Sequence, residues 1–580
     1  MRRLLLILTA LLLLSPLVAA APNAPEIPWR PWSPAAFAEA KAAGKPVLVD
    51  AVASWCHWCH VMDARTYGDP AVAKLVSERF IPVRVDIDQH PDAAELYADI
   101  GWPGTALYAP DGRPLDRERG FLEPGDFLAV LDRALAGKGN VETPEPPAAT
   151  AADPLAGAVR DLDAAFDRSY GGWGRQKYPL RMNLEEALDR GWRGDEGAEF
   201  RALYTLAQQR RITDPVWGGL FQYSAGPDWH APHFERLTTL QAGWLRNLAE
   251  AYRATGDGDF LADATADLRF LRRFMAHPDG GFSATMDADA PGLDGHAFQA
   301  LDDAARVKAG IPRIDGRRYA QVQGLMIAAL ADLSGVLEDP RLLPEAEAAE
   351  AWTEARLAAP DGYRHAEGQE GRFLADQAGM LEGLIVLHQA MGKALYLDRA
   401  VALADLLERG FADPSGLYRA RAEAPGALGA FAEVRLPFDD NASVARSLLR
   451  LEALTGDARF HARAARILAA LSRQDRLDDQ GRWLGDYVLA MRELKGVGHL
   501  AVVGDPSTPE TQALFWAAKA AWLPETVVLR VDPAQPSRNP DLSFPALGHP
   551  AAFLCGRGTC SAPFTDPQRL AMDAAQAARR

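Results

Sequence analysis

The spacing of apolar positions separates a first stretch of the chain, in which the period changes every few residues, from a long second stretch that keeps to one period. Val47 to Val52 is an apolar run of strand length. Ser54-Trp55-Cys56-His57-Trp58-Cys59-His60-Val61-Met62 then enters a segment that reads as helix to about Tyr67. Upstream, Ser33 to Ala43 has a serine cap, Pro34 at the first helical position and Gly44 as a stop, and so predicts a helix. Downstream, Asp69-Pro70 opens a helix ending near Arg79, Ile81 to Ile87 alternates as a strand, and Pro91 to Asp99 is helical. Gly101-Trp102-Pro103-Gly104 leads into a strand at Thr105 to Tyr108. Pro110-Asp111-Gly112 turns the chain into a further strand before Phe121, and Pro124 to Ala136 is a closing helix. The predicted order is α-β-α-β-α-β-β-α.

Residues 139–153 are rich in Pro, Ala and Thr and read as a linker. From Pro154 to about Leu494 the period is helical, with about a dozen amphipathic segments. Loops of one kind interrupt them: Gly171-Gly172-Trp173-Gly174, Gly218-Gly219-Leu220-Phe221, Gly280-Gly281-Phe282, Gly362-Tyr363 and Gly416-Leu417-Tyr418. Helix pairs joined by glycine-aromatic turns at irregular intervals predict an (α/α)6 toroid; periodicity predicts the helices and does not itself close the ring. The tail, 495–580, returns to α/β, with strands at His499 to Val503, Thr526 to Val531 and Ala551 to Cys555 and a helix at Pro509 to Ala520.

A chain of 580 residues is too long for one core, in keeping with an expected division into 27–138, the linker, 154–494 and 495–580. The net charge of −16 and pI near 5.3 argue against a nucleic-acid or anionic-membrane partner, either of which needs a basic face. Arg2 and Arg3, the apolar run Leu4 to Leu14, Pro16 and the small residues Val18, Ala19 and Ala20 have the layout of a cleaved secretory signal over residues 1–21. The run falls short of the roughly 20 apolar residues of a membrane helix. The expected location is therefore exported, periplasmic or secreted from a bacterium, where disulfides persist. The four cysteines fall into two close pairs, Cys56 with Cys59 and Cys555 with Cys560.

Cys56-His57-Trp58-Cys59-His60 matches both a redox CxxC and the CxxCH of haem attachment. A cytochrome has no need of a buried acid six residues upstream. Here Asp50 stands at that distance, Trp55 precedes Cys56, and Pro103 precedes a later strand. These positions, with the element order, resemble the thioredoxin fold: a carboxylate that takes the proton of the resolving thiol, a flanking tryptophan and a cis-proline facing the disulfide. On that reading Cys56, at a helix start that stabilises a thiolate, is the exposed attacking sulfur and Cys59 resolves. His57, when protonated, would stabilise the Cys56 thiolate; a surface histidine is the plain alternative, and a structural disulfide or metal site is the plain alternative for the pair. Cys555 and Cys560 enclose a four-residue loop short enough for a stabilising bridge, or for a pair that exchanges with the first. His233, Glu235, Asp287, Asp289, Asp376 and the pair Asp439-Asp440 lie near loops of the helical region; acids facing one cavity would suit glycoside chemistry, whereas most such acids cap helices.

The run Cys56 to Met62, Gly101-Trp102-Pro103, Pro110-Asp111-Gly112, Pro232-His233-Phe234-Glu235, Asp287-Ala288-Asp289, Gly324-Leu325-Met326-Ile327 and the Cys555 to Cys560 segment with Thr565-Asp566-Pro567 resemble the YyaL/spermatogenesis-associated protein 20 family. The resemblance implies a thioredoxin-like domain fused to a six-hairpin glycosidase-like toroid related to sugar epimerases. Departures fall at Asp63, where the family has glutamate, at Thr239-Leu240, and at Gln321-Val322-Gln323. The stretch between Asp289 and Gln321 is also shorter than the family's. The expected activity is thiol-disulfide exchange by Cys56, Cys59, Asp50, Pro103 and His57, with a redox partner or disulfide-bearing client and neither cofactor nor metal. The alternative is a carbohydrate-active or carbohydrate-binding toroid, its pocket formed by His233, Glu235, Asp287, Asp289 and Asp376, beside a regulatory or vestigial redox domain.

Overall fold

Branched apolar runs and proline-initiated helices set the first part of the structure. The computed structural model describes residues 26–139, 149–422, 427–535, 538–556 and 559–578; the expected signal segment and most of the expected linker lie outside them. Strands β1 (Arg30–Pro31), β2 (Val47–Val52), β3 (Ile81–Asp86), β4 (Gly104–Tyr108) and β5 (Pro114–Arg119) form one sheet in the order β1-β3-β2-β4-β5. β1 is parallel to β3, and β5 is antiparallel to β4. The helices are α1 (Pro34–Ala43), α2 (His57–Met62), α3 (Pro70–Arg79), α4 (Pro91–Tyr97) and α5 (Pro124–Leu135). All but α2 begin with proline, whose fixed φ suits a first turn and whose missing N–H has no helical partner to lose. Asp69 caps α3, accepting the N–H groups of Ala71 and Val72 at 2.9 and 3.1 Å. Past Met62, α2 continues as one π-helical turn, Asp63–Tyr67. The arrangement is thioredoxin-like. β1 has no counterpart in the sequence reading, since two residues, one a proline, carry no period.

By its contacts the chain forms two compact units. One takes the described residues of Met1–Asp50, Trp58–Arg84 and Ile100–Val141; the other takes Ala51–His57, Val85–Asp99 and the described residues of Glu142–Arg580. The first has its own core of Leu48, Met62, Val72, Val76, Phe80, Leu107, Phe127 and Leu131.

In the second unit the long helices are α6 (Pro154–Ala165), α7 (Arg181–Trp192), α8 (Glu196–Gln209), α9 (Thr238–Thr255), α10 (Asp259–Phe270), α13 (Ala320–Leu333), α14 (Leu342–Leu357), α15 (Leu374–Met391), α16 (Ala394–Gly410), α17 (Phe438–Thr455), α18 (Ala458–Leu471) and α20 (Gly485–Glu493). Short helices α11 (Gly295–Gln299), α12 (Asp303–Ala309) and α19 (Gln474–Gln480) sit in connections. α7 packs on α9, α9 on α13, α13 on α15, α15 on α17, α17 on α20, and α20 returns to α7, so an inner ring of six helices closes. The outer six, α8, α10, α14, α16, α18 and α6, back onto α7, α9, α13, α15, α17 and α20. This is an (α/α)6 toroid. α13 and α15 approach closely because glycines meet: a Cβ on Gly324 would lie 2.2 Å from the carbonyl carbon of Gly379.

One device recurs around the ring. The fourth residue of α9, α13, α15 and α17 is Gln241, Gln323, Gln377 and Asn441. Each amide oxygen accepts the backbone N–H of the apolar residue in a glycine loop, Leu220, Phe282, Tyr363 and Tyr418, at 2.7 to 2.8 Å. Each amide nitrogen donates to the carbonyl of the same residue at 2.8 to 2.9 Å. Burying a loop next to a helix start requires its peptide groups to be paired, and one side-chain amide pairs both.

Two-residue strands brace the loops that lead into inner helices: β6 (Tyr223–Ser224) with β7 (Pro232–His233); β8 (Arg236–Leu237), β9 (Thr285–Met286) and β10 (Ile314–Asp315); and β11 (Ala358–Ala359) with β12 (Gly362–Tyr363). The tail forms a sheet of β13 (Gly498–Val503), β14 (Thr526–Val531), β15 (Ala551–Gly556) and β16 (Thr559–Cys560) in the order β14-β13-β15-β16. Helix α21 (Pro509–Ala520) crosses between parallel β13 and β14. A closing helix, α22 (Pro567–Ala578), packs on α21. No helix among the described residues is long and apolar enough to cross a membrane.

Candidate functional site

Strand β2 runs into Ala53-Ser54-Trp55-Cys56, and α2 begins at His57, so the cysteine pair straddles a helix start, where unpaired N–H groups favour a thiolate. All four cysteines are disulfide-bonded; Cys555 pairs with Cys560, which leaves Cys56 with Cys59. Asp50, on β2, is fully buried. Burial pushes its carboxyl up to about 6, against the opposing pull of Arg84. Arg84 Nε donates to Asp50 Oδ2 at 2.7 Å, and its Nη2 reaches Asp63 Oδ1 at 2.5 Å. The same guanidinium lies over the Trp29 ring, 4.2 Å from its centroid. The Tyr67 hydroxyl also opposes the rise at Asp50. The Trp102–Pro103 peptide bond is cis, and the Pro103 carbonyl accepts the Gly120 N–H at 2.9 Å.

Cys56, expected as an exposed sulfur, is only 5% exposed. The residues on both sides of it are tied down within the second unit. Arg313 donates to the Ser54 carbonyl, Trp55 Nε1 donates to Asp88 Oδ2 at 2.6 Å, and His57 Nδ1 lies 2.9 Å from Asp289 Oδ2. Burial pushes Asp88 up to about 7, and nearby Asp86 adds to the shift.

His233, Glu235, Asp287 and Asp289 come together here. Asp289 Oδ1 accepts the Gly295 N–H at 2.8 Å, and the Asp289 N–H donates to Asp287 Oδ1 at 3.2 Å. Glu235 is 3% exposed, and burial pushes it up to about 7, with the backbone N–H of His57 opposing the shift and Asp287 adding to it. His233 Nδ1 stands 4.0 Å from Glu235 Oε2. Burial, with His57 and His296 nearby, drives His233 down to about 4, so its ring is neutral at pH 7. That ring stacks on Tyr223 at 4.2 Å, and Tyr223 stacks on Tyr178 at 4.6 Å. Asp287 and Asp289 bring carboxylate oxygens within 4.8 Å of one another, the donor type a hard cation takes, although Asp289 already serves His57 and Gly295.

Asp376 does not join them. It is fully buried, with both oxygens 2.9 Å from His365 Nδ1 and Oδ1 accepting the Gln321 N–H at 3.0 Å. His365 Nε2 lies 2.6 Å from the Asp88 carbonyl, and Tyr319 stacks on the imidazole at 4.2 Å. Asp439 and Asp440, in the first turn of α17, are pushed up to about 7 and about 8 by burial and by surrounding acids, Glu95 and Asp486 among them. Cys555 and Cys560 face each other across the β15–β16 hairpin with Cα atoms 4.0 Å apart, the geometry of a hairpin staple. Sequence reasoning missed Arg84, Asp88 and His365. Only Asp88 had a signal: a buried indole N–H needs an acceptor.

A family model described as "Thioredox_DsbH: Protein of unknown function, DUF255" matches residues 14–121. Human spermatogenesis-associated protein 20 is 23% identical over 699 residues, spanning 92% of this chain and 88% of that protein; the mouse protein is 24% identical over 708 residues with the same coverage. The chain is thus similar to spermatogenesis-associated protein 20 over nearly its whole length, as the sequence resemblance led one to expect. The spermatogenesis-associated protein 20 match runs through both the redox part and the ring. A further similarity is shorter: the thiol:disulfide interchange protein DsbD 1 of Pseudomonas aeruginosa is 40% identical over 83 residues, 13% of this chain and 14% of that protein. Among solved structures, a D-mannose isomerase overlays with a TM-score of 0.45 at 11% identity, over 60% of this chain and 99% of that one.

Proposed function

We propose that the chain is an exported thiol-disulfide oxidoreductase that acts on a client held by the helical ring. The observation that carries this reading is Asp50, a fully buried carboxyl raised to about 6, on the strand that leads into a cysteine pair at a helix start. Such a group is ionised at neutral pH and accepts the Cys59 proton when Cys59 attacks a mixed disulfide on Cys56. The similarity of a short part of the chain to a thiol:disulfide interchange protein supports the same chemistry. Export rests on the basic and apolar layout of residues 1–21. The experiment is to express Cys59→Ser in a bacterial periplasm and identify trapped mixed disulfides. A covalent client released by dithiothreitol is expected; no adduct, together with no exchange between the wild-type dithiol and oxidised glutathione, refutes the reading.

The second reading, a carbohydrate-active or carbohydrate-binding ring, is favoured by the grouping of His233, Glu235, Asp287 and Asp289 beside the Tyr178–Tyr223 stack. A carboxylic acid raised to about 7, as burial raises Glu235, keeps a protonated fraction at neutral pH, which such chemistry uses as its acid. Loss of saccharide binding in Glu235→Gln, with disulfide exchange intact, would favour it.

A further inference from the structure

We propose that Asp289 completes a Cys56–His57–Asp289 relay, in which it holds His57 by Nδ1 so that Nε2 takes the proton of the Cys56 thiol. The proposal rests on the reading of Cys56 as the attacking sulfur and adds a positioning residue to it. His57 Nδ1 lies 2.9 Å from Asp289 Oδ2. A carboxylate accepts and cannot donate, so Nδ1 carries a hydrogen, and in the neutral ring the lone pair is then on Nε2. Asp289 is itself fixed by the Gly295 N–H on Oδ1 and by its own N–H on Asp287. His57 adjoins Cys56 in the chain and opens α2. A weak nucleophile, a base and a group that orients the base are the parts that activate a thiol. Glu235, near this histidine, is raised to about 7 by burial and so is about half protonated at pH 7, and His233 is neutral there. Neither supplies the fixed carboxylate partner that Asp289 does.

The exchange balances as follows. The Cys56 S–H proton moves to His57 Nε2, and the thiolate attacks one sulfur of a client disulfide. A Cys56–client bond forms, and the client S–S bond breaks with its electron pair on the second sulfur, which takes the proton back from Nε2. Cys59, its proton passed to Asp50, then attacks Cys56. The Cys59–Cys56 bond forms, and the first client sulfur leaves as a thiolate and takes the proton from Asp50. Two electrons and two protons pass from dithiol to client, and the reverse sequence oxidises a client dithiol.

The test is the rate at which iodoacetamide alkylates Cys56 in the full chain carrying Cys59→Ser, from pH 5 to 9, with Asp289→Asn, His57→Asn and both together. The amide introduced by Asp289→Asn keeps an acceptor for Gly295 while presenting N–H groups to His57, which disfavours the hydrogen on Nδ1. A loss of rate at pH 7 is expected for Asp289→Asn, with the double variant no slower than His57→Asn. Asp289→Glu, which retains a carboxylate, is expected to recover part of the rate and provides a second folded comparison. An unchanged rate in Asp289→Asn, or an equal loss with and without His57, overturns the relay and leaves Cys56 chemistry standing. A Cys56 no more reactive than a free thiol, in a wild type that does not exchange with glutathione, overturns the relay together with the reading beneath it.

Discussion

Asp50→Asn should stabilise the protein at alkaline pH while slowing disulfide exchange, and the size of the gain follows from the burial of one carboxyl. Asp50 is fully buried and sits at about 6 where an ordinary aspartate sits at 3.8. Burial outweighs Arg84, the cation that donates to it at 2.7 Å. A folded-state value above the unfolded one means that the native protein holds the proton more tightly, so unfolding releases it as the pH rises between the two. The stability this group contributes is fully present below pH 3.8 and is lost as the pH rises through about 6. The difference of about 2 units, at 1.36 kcal/mol each, makes the ionised carboxyl cost about 3 kcal/mol at pH 8. Asparagine cannot ionise, and Arg84 keeps Asp63 as a partner at 2.5 Å. The two proteins should therefore be equally stable near pH 4 and diverge to about 3 kcal/mol by pH 8 in favour of Asp50→Asn. Hydrogen exchange of the β2 and β3 amides, corrected for intrinsic rates at each pH, reads this out. Resolution of a mixed disulfide at Cys56 should slow on the order of 100-fold with the base removed. Parallel stability curves for the two proteins across pH 4 to 8 would refute the assignment of Asp50 as a buried, protonation-linked acid.

Gln323→Ala removes both hydrogen bonds from the Phe282 peptide groups and should cost on the order of 3 kcal/mol. Thermal unfolding would record the loss, and exchange at the 280–282 loop should rise more than at the three equivalent loops. Gly324→Ala puts a Cβ 2.2 Å from the Gly379 carbonyl carbon, backbone that cannot yield, so a loss of about 3 kcal/mol or more is expected. Gly316→Ala, at a position where nothing lies within 4 Å, is the control and should leave the melting temperature unchanged. Replacing both Cys555 and Cys560 by serine opens a loop closed over a sequence separation of 5 and should cost about 2 kcal/mol. If the pair is a staple alone, glutathione exchange at Cys56 is untouched; a changed exchange rate would make it a redox partner.

The sequence was most readable where a local rule decides the structure. Ser33-Pro34, Asp69-Pro70 and Thr508-Pro509 announce helices because a capping oxygen or a fixed φ acts within one turn, and the helices begin where those residues stand. The six helical hairpins were legible for the same reason, but ring closure depends on α20 meeting α7, some 300 residues apart, and no period encodes that. The amide clamps were equally hidden. Gln241, Gln323, Gln377 and Asn441 look like unrelated polar residues until the loops they pair are folded against them. Within the site, Asp50 was recognisable from its spacing to Cys56, whereas its partner Arg84 lies 34 residues away and Asp289 lies 232 residues from His57. The exposure assigned to Cys56 erred because a helix start announces a reactive sulfur and is silent about Arg313 and Asp289, which hold its neighbours.

The ring confines its candidate chemistry to one end. One outer helix separates each inner helix from the next, so the inner helices run parallel and the connections entering them gather together. His233 and Glu235 precede α9, Asp287 and Asp289 precede α13, His365 precedes α15, and Asp376, Asp439 and Asp440 lie in first turns. Between the inner helices, arginine–carboxylate pairs fill the interior. Arg181 meets Glu382 at 2.8 Å, Arg253 meets Asp332 at 3.1 Å, Arg446 meets Glu185 at 2.6 Å and Glu493 at 3.0 Å, and Arg450 meets Glu493 at 2.9 Å. These arginines hold Glu382, Asp332, Glu185 and Glu493 below the usual carboxylate range despite burial, which makes the network self-neutralising. The cavity beside it is about 130 Å³, room for a few waters and too small for a saccharide or a peptide segment. The amino-terminal ends of the inner helices, by contrast, carry the loop that presents Asp289 to His57.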